Sequence, residues 1–275
     1  MSRVEIVVLN WNGWCDTLAC VWSLQQLDYP DFGLTVVDNG STDDSVQRIL
    51  AHRPAVRLLQ TGVNLGFGGG CNVGVRQALG NGAQYIWLIN SDATVDRNAL
   101  TELVRVAQDN SALGAVGSVL FDADQTDHIQ LWGGGKINLW TGRSHHQRGP
   151  TSLDFVSGAS LLLRREALLQ VGLLDEQSFF MYWEDTDLGL RLRQAGWQLG
   201  VADRSRVWHK QSASLGQGSP LLDQYFTCSA VRFFRKHAPI PVFPAAILLI
   251  LMLAKRLLSG ELTRVRAVLK GFASA

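Results

Sequence analysis

A chain of 275 residues, 47 % apolar and 18 % charged, carries enough apolar surface for one large α/β domain or a domain with an appendage, which excludes wholesale disorder. The net charge of +1 conceals an asymmetry: from Ser229 onward there are eight Lys/Arg and one acid, Glu261, whereas the first 228 residues hold 17 basic and 23 acidic side chains. A mildly acidic body with a basic, apolar end argues against a nucleic-acid binder, whose basic patch would lie on the folded body, and for contact with a membrane surface.

The N-terminal run Met1-Ser2-Arg3-Val4-Glu5-Ile6 is too short and too acidic for a signal peptide and reads as a strand that starts almost at once. Short apolar runs then alternate with amphipathic stretches, the pattern of βα units around a parallel sheet. Strands are expected at Val4–Leu9, Gly33–Asp38, Val56–Leu59 and Tyr85–Ile89, and helices at Trp14–Leu27, Asp44–His52, Gly70–Leu79 and Asn98–Gln108. The polar residues Asn10, Asp38 and Asn90 close three of these strands. Ligands of open α/β sheets bind off the carboxyl ends of the strands, so the three point at one crevice.

The second half changes character. Gly133-Gly134-Gly135 and Trp140-Thr141-Gly142 punctuate a hairpin, and Gly142–Pro150 reads as an irregular, His-containing loop. One or two strands are expected in Asp154–Leu163, a short helix from Arg164, a helix after Glu184, and short strands at Leu199–Val201 and Arg206–Trp208. Ser212–Pro220 is Gly/Ser-rich and reads as a mobile connection. Ile240–Ala254 is apolar for 15 residues but holds Pro241 and Pro244. A spanning helix needs about 20 residues. An interfacial helix continued by the basic, amphipathic Leu262–Phe272 fits better, with a core helix or an oligomer contact as the alternative. The expected division is a body over 1–228, split near 118, and a tail over 229–275. Cys15, Cys20, Cys71 and Cys228 form no CxxC pair and no zinc spacing, and read as reduced, mostly buried thiols.

Five motifs carry chemistry. In Val37-Asp38-Asn39-Gly40-Ser41-Thr42-Asp43, Asp38 could take the imide N–H of a pyrimidine base, although a capped βα turn explains the same residues. Asn64-Leu65-Gly66-Phe67-Gly68-Gly69-Gly70 opens a helix and could bring backbone amides to phosphate. It is not a dinucleotide fingerprint, since the third glycine of GxGxxG would fall at Cys71 and the loop follows the third strand. In Ile89-Asn90-Ser91-Asp92, an acid at a strand end could hold a divalent cation on a diphosphate. His209 could join Asp92 in a site of O and N ligands. Finally, Phe179-Phe180-Met181-Tyr182-Trp183 runs into Glu184-Asp185-Thr186-Asp187. Carboxylates against an aromatic wall suit a general base facing a sugar, while a helix N-terminus is the simpler reading.

In order, these motifs resemble the inverting GT-A glycosyltransferases of family 2, especially the rhamnosyltransferase-like branch. Further matching pieces are Val7-Val8-Leu9-Asn10-Trp11-Asn12, Phe155-Val156-Ser157-Gly158-Ala159 and Trp208-His209, and the likeness runs from about residue 4 to 237. The resemblance implies a GT-A fold (α/β, Rossmann-like, with a mostly parallel central sheet), to which the composition of the C-terminal end adds a membrane-associating helical tail. It implies a dTDP- or UDP-sugar donor, with Asp38 on the base and Asn10, Asn12, Asn64, Gly66, Gly69 and Asn90 lining the donor pocket. Asp92 and His209 would hold Mg²⁺ or Mn²⁺, and Asp185 would be the general base. Trp183 would face a glycan or lipid-linked acceptor, and Glu184 and Asp187 would hold acceptor or structure. Localisation would be cytoplasmic, peripheral at the inner face of the plasma membrane. The family's DxD element appears here as Asn90-Ser91-Asp92, with an amide for one carboxylate. In the helix that resembles Tyr225–His237, where an Arg commonly follows the aromatics, Cys228 and Ser229 stand and the first Arg is Arg232. A nucleotidyltransferase, or a non-catalytic scaffold binding sugar nucleotide at the membrane, is the alternative reading.

Overall fold

The computed structural model describes residues 2–53, 56–210 and 218–275. The chain begins with β1 (Val4–Asn10), α1 (Trp14–Leu24), β2 (Phe32–Asp38), α2 (Ser45–His52), β3 (Arg57–Gln60), α3 (Gly66–Gly80) and β4 (Tyr85–Asn90). It continues through β5 (Ala93–Val95), α4 (Ala99–Asp109), β6 (Leu113–Asp122), β7 (Ile129–Trp132), β8 (Gly134–Ile137), β9 (Ser144–His146) and β10 (Phe155–Val156). Next come β11 (Ser160–Arg164), α5 (Arg165–Val171), α6 (Glu184–Gln194) and β12 (Gln198–His209). Three helices close the chain: α7 (Pro220–His237), α8 (Val242–Leu258) and α9 (Leu262–Ala273).

The main sheet has the order β3-β2-β1-β4-β11-β6-β12-β5, with β7 paired to β6. Strands β3, β2, β1 and β4 run parallel, as do β6 and β12, while β11 lies antiparallel between β4 and β6. Strand periodicity explains its two-sided burial. From β1, Val4, Ile6 and Val8 pack with Cys20, Val21 and Leu24 of α1 and with Leu100, Leu103 and Val104 of α4. Val7 points the other way, to Cys71, Val75 and Ala78 of α3. Strands β8, β9 and β10 form a small antiparallel sheet beside the main one.

Strand β9 falls in the stretch expected as an irregular loop, β5 is a further short strand, and two longer elements of the main sheet also depart from expectation. The ten-residue β6 lies deep in the sheet although its sequence, with Gly114 and Gly117, is a poor strand signal. Neighbouring strands demand the glycine: a Cβ at Gly117 would lie 2.6 Å from the Gly133 carbonyl oxygen and 2.8 Å from Val156. The two short strands expected near 199–208 are one strand, β12, with its register shifted between Ala202 and Arg206. The exposed Asp203 and Arg204 sit in that irregularity, so polar residues interrupt the pattern without ending the strand. The Gly/Ser-rich segment expected over Ser212–Pro220 lies, as far as residue 217, outside the described residues. All four cysteines are free; Cys20 and Cys71 are buried, which pushes both thiols up, whereas Cys15 is exposed.

The boundary expected at 228/229 falls inside α7, and the last three helices pack as a unit on the body. Phe233 and Phe234 are fully buried in a cluster with Phe179, Trp183 and Ala245. Gly271 lets α9 approach α7, where a Cβ would stand 2.3 Å from the Gln224 carbonyl oxygen. Buried Asp223 takes Arg256 at 2.9 Å and Arg264 at 2.6 Å, and both guanidinium groups also reach Glu261 at 3.0 Å. Part of the basic excess is therefore consumed internally. No described helix is long and apolar enough to cross a membrane. Replacing Asp223 with Asn leaves two largely buried cations short of a partner and is expected to cost about 3 kcal/mol, read as a lowered urea midpoint.

Candidate active site

A cavity of about 550 Å³ opens beyond the carboxyl ends of β1 and β4. Of the residues expected to bind donor or cation, Asn64, Gly66, Asn90, Asp92 and His209 line it. Trp183, Glu184 and Asp185 line it as well. One cavity thus gathers expected site residues from four separate stretches of sequence.

Asn10 and Asp38 lie behind that wall, at 0 % and 3 % exposure. Asn10 Nδ2 donates to Asp38 Oδ1 (2.8 Å), its Oδ1 accepts from Thr17 (2.7 Å), and Ser41 Oγ donates to Asp38 Oδ1 (2.6 Å). Among the described residues Asp38 Oδ2 takes one hydrogen bond, from the Ser41 amide at 3.1 Å. Asn12 adopts a left-handed backbone (φ 51°) and its Oδ1 accepts from the Thr42 amide at 2.7 Å, clamping the loop that follows β2. The expectation that Asn10 lines the pocket is thus corrected: it orders the Asp38 carboxylate from behind.

The glycine-rich motif also has a different job from the one expected of it. The Leu65 and Gly66 amides donate to Asn39 Oδ1 (3.0 Å) and Asn64 Oδ1 (2.9 Å), and the Phe67 amide donates to the Phe180 carbonyl (2.7 Å). These amides are not available to a phosphate. The glycines instead allow close packing: a Cβ at Gly70 or Gly74 would stand 2.4 Å from Leu9 or Val7 of β1. Gly66, at φ +76°, lies so close to Phe180 that a Cβ would be 2.1 Å from its carbonyl oxygen. Gly69 is buried in the first turn of α3, away from the cavity lining.

Strands β4 and β12 bring Asn90, Asp92 and His209 together. His209 Nε2 is 3.2 Å from Asp92 Oδ1 and 3.1 Å from Asn90 Nδ2, and its Nδ1 is 3.0 Å from Gln130 Oε1. One carboxylate oxygen and one imidazole nitrogen converge at the cavity wall, a donor set suited to Mg²⁺ or Mn²⁺. No group of three or more His, Cys, Asp or Glu ligands occurs among the described residues. Such a cation would complete its shell with diphosphate oxygens and water, the usual manner of Mg²⁺ at substrate phosphates.

The acidic triplet forms the first turn of α6, as the helix-terminus reading expects, and Glu184 and Asp185 also line the cavity. It is presented by an unusual turn in which Tyr182 (φ 68°) and Trp183 (φ 72°) are both left-handed. Asp185 Oδ2 accepts the Gly158 amide at 3.0 Å, and Oδ1 accepts the Thr186 amide at 2.6 Å. Burial pushes its carboxyl up, against the pull of those two amides. Glu184 rises well above the ordinary value through burial, then through the charges of Asp185 and Asp187. Asp187 is fully buried and faces the other way, toward Arg191 (2.7 Å), Lys236 (2.7 Å) and His237 (2.7 Å). Burial opposes its ionisation, but the His237 hydrogen bond and the Arg191 and Lys236 contacts overcome it and bring the carboxyl to about 2. Of the acceptor and structural roles expected for it, its contacts fit the structural one: its oxygens fasten α6 to the end of α7.

Sequence reasoning missed Trp11, Gln130, His146 and Gly158, which also line the cavity. Trp11 stood in plain view beside Asn10. The 142–150 stretch reads in sequence as an irregular, His-containing loop that singles out no histidine, whereas His146 ends strand β9 and its ring stacks edgewise on Phe155 at 6.1 Å.

The mostly parallel sheet is that of a GT-A-like α/β fold. The mannosyltransferase PcManGT from Pyrobaculum calidifontis, solved with GDP-Man and Mn²⁺, superposes with a TM-score of 0.64 at 17 % identity, over 100 % of this chain and 76 % of that one. Staphylococcus aureus TarS with UDP-GlcNAc gives 0.59 at 16 % identity, over 95 % and 72 %. The sequence profile of glycosyl transferase family 2 matches residues 5–172, and the chain belongs to that family of glycosyltransferases. An N-acetylglucosaminyl-diphospho-decaprenol L-rhamnosyltransferase of Mycobacterium tuberculosis is 34 % identical over 209 residues, 66 % of this chain and 67 % of that protein. The O-antigen biosynthesis protein RfbC of Myxococcus xanthus is 30 % identical over 229 residues, 76 % of this chain but 17 % of its own length.

Asp187 gives a pH-dependent prediction. Its carboxyl is lower folded (about 2) than unfolded (3.8), so its contribution to stability is present above 3.8 and is lost as the pH falls through about 2. Asp187→Asn is expected to cost about 3–5 kcal/mol at neutral pH, because it strands buried cations. The deficit measured by denaturant titration should shrink toward pH 2.

Proposed function

We propose that this chain moves a sugar, rhamnose being the leading candidate, from a pyrimidine nucleoside-diphosphate donor to a hydroxyl of a cell-envelope glycan or lipid-linked acceptor, with inversion. The observation that carries the reading is Asp185: a cavity-facing carboxylate aligned by the Gly158 and Thr186 amides, with its pKa raised toward that of a useful base. The acceptor O–H gives its proton to Asp185 as its oxygen attacks the anomeric carbon from the face opposite the diphosphate. The bond from that carbon to the phosphate oxygen breaks, and the nucleoside diphosphate leaves.

Other residues divide the remaining work. Asp38 Oδ2, with an acceptor position beyond its Ser41 bond, would read the base N–H. Asp92 and His209 would hold the cation, which when bound neutralises charge on the departing diphosphate. Mn²⁺ in the solved neighbours supports that assignment. On the acceptor side, Trp183 Nε1 and Glu184 Oε2 are buried and lack hydrogen-bond partners among the described residues, and both residues line the cavity. They are suited to hydrogen-bond acceptor hydroxyls, with Tyr182 and Phe226 offering apolar faces to the ring. The decaprenol-linked substrate named for the mycobacterial relative supports a lipid-linked acceptor.

Asp185→Asn should leave the fold and donor-induced thermal stabilisation in place while transfer drops about 10²–10⁴-fold. Transfer at close to the wild-type rate would remove Asp185 from the role of base. In the wild type, the acid limb of kcat/KM should lie above 3.8, because burial raises this carboxyl. A panel of nucleotide sugars scored by thermal shift with Mn²⁺ would identify donor base and sugar together.

The C-terminal surface supports peripheral attachment at the inner membrane face. Phe243, Ile250 and Leu257 recur on one side of α8 at 53 %, 65 % and 56 % exposure, followed by Leu258 at 89 % and Leu262 at 64 %. Exposed Lys255, Arg266 and Lys270 lie on the same two helices, an apolar stripe with basic neighbours suited to anionic headgroups. Replacing Phe243 and Ile250 with Asp should abolish co-sedimentation with anionic vesicles and leave the melting temperature unchanged. Retained sedimentation would refute attachment through this face.

A further inference from the structure

Gln130, on β7, stands between two groups that dictate how its amide must point. Its Nε2 lies 2.8 Å from Asp122 Oδ1 and 3.3 Å from the His209 carbonyl oxygen, while its Oε1 lies 3.0 Å from His209 Nδ1. Asp122 also accepts from His128 Nδ1, and the hydrogen bonds from Gln130 and His128 hold its carboxyl below the ordinary range. An ionised carboxylate can only accept, and so can a backbone carbonyl. The amide nitrogen of Gln130 therefore faces these two acceptors, and its oxygen is left to the imidazole. An amide oxygen also only accepts, so the ring hydrogen belongs on Nδ1 of His209.

The other ring nitrogen then accepts from Asn90 Nδ2, at 3.1 Å, and lies 3.2 Å from Asp92 Oδ1, two acceptor atoms side by side that a cation would share. We propose that Gln130, oriented by Asp122, is a positioning residue that fixes His209 in its Nδ1–H tautomer and keeps Nε2 as the atom offered to the cation. The consequence for the cation rests on the reading of His209 as a ligand, whereas the tautomer does not. The pair reaches the site from the β6–β7 hairpin, which supplies no residue to the expected motifs. A strand with no part in the chemistry thereby sets the chemical form of a residue that has one.

The test reads the imidazole directly. In the full-length, metal-free protein labelled with ¹⁵N, long-range ¹H–¹⁵N spectra of the histidine rings are recorded, with His209→Gln used to identify the His209 signals. The expected wild-type pattern has a protonated Nδ1 and a bare Nε2. Gln130→Leu, which removes the accepting oxygen, should move the proton to Nε2 or give a mixture, and so should Asp122→Leu, which removes the acceptor that orients the amide. Mn²⁺ affinity measured calorimetrically with UDP present should fall about 10- to 100-fold in Gln130→Leu. A wild-type spectrum with a proton on Nε2, or a Gln130→Leu spectrum identical to wild type, overturns the proposal. If His209→Gln binds Mn²⁺ as tightly as wild type, the cation reading fails, and the tautomer stands or falls on the spectra alone.

Discussion

The indole of Trp183 sits among the rings of Phe226, Phe233 and Phe234, with centroids 5.6, 4.8 and 5.3 Å away. That packing holds a backbone that would not persist alone, since two successive aromatic residues in the left-handed region cost roughly 1–2 kcal/mol each. Burying a large aromatic side chain returns more than this, roughly 1.5–3 kcal/mol before ring–ring attraction is added. The turn so stabilised ends one residue before α6 begins and delivers Glu184 and Asp185 to the cavity wall. Asp187, one helical turn beyond Trp183, donates its amide to the Trp183 carbonyl at 2.8 Å and spends its carboxylate on α6 and α7. The position of the acid side chains thus depends on helices that come after them in the chain.

Three neighbouring carboxyls acquire three different characters from this arrangement. Glu184 is buried beside two like charges and is driven toward its neutral form. Asp187 is buried beside Arg191, Lys236 and a hydrogen bond to His237, and is driven toward its charged form. Asp185, between them in sequence, is only partly buried and is held by two amides, which leaves it as the member suited to exchange a proton. Divergent environments acting on adjacent titratable groups are how a protein divides acid, base and structural duties among similar residues.

The first half of the fold was legible because β1, β2 and β4 are strong period-two or fully apolar runs that end in polar residues. The acidic segment was legible because an aromatic run followed by carboxylates is poorly explained by packing. What escaped notice did so for physical reasons. Strand β6 is disguised by glycines that its neighbours require, and β12 by a polar irregularity. The glycine-rich motif looked like an anion cradle because the sequence cannot show that Asn39, Asn64 and the Phe180 carbonyl already occupy its amides. Asp38 and Asn10 were correctly grouped at adjacent strand ends, yet their mutual hydrogen bond depends on a register that no single strand displays. Gln130 is an ordinary polar residue until Asp122 and His209 are brought to either side of it.

The contact between Gly66 and Phe180 has a mechanical consequence. Helix α3 belongs to the first half of the sheet and Phe180 to the approach to α6, and they meet with no room for even one additional carbon atom. A hydrogen bond of 2.7 Å from the Phe67 amide rivets the same point. A cleft fastened in this way along one edge cannot gape there like a hinged shell. The cavity is lined on another side by the small β8–β9–β10 sheet, whose exposed strand β9 carries Ser144 and His146. That strand supplies no part of the Gly66–Phe180 rivet, so it can vary in sequence without disturbing the acid the rivet helps to position.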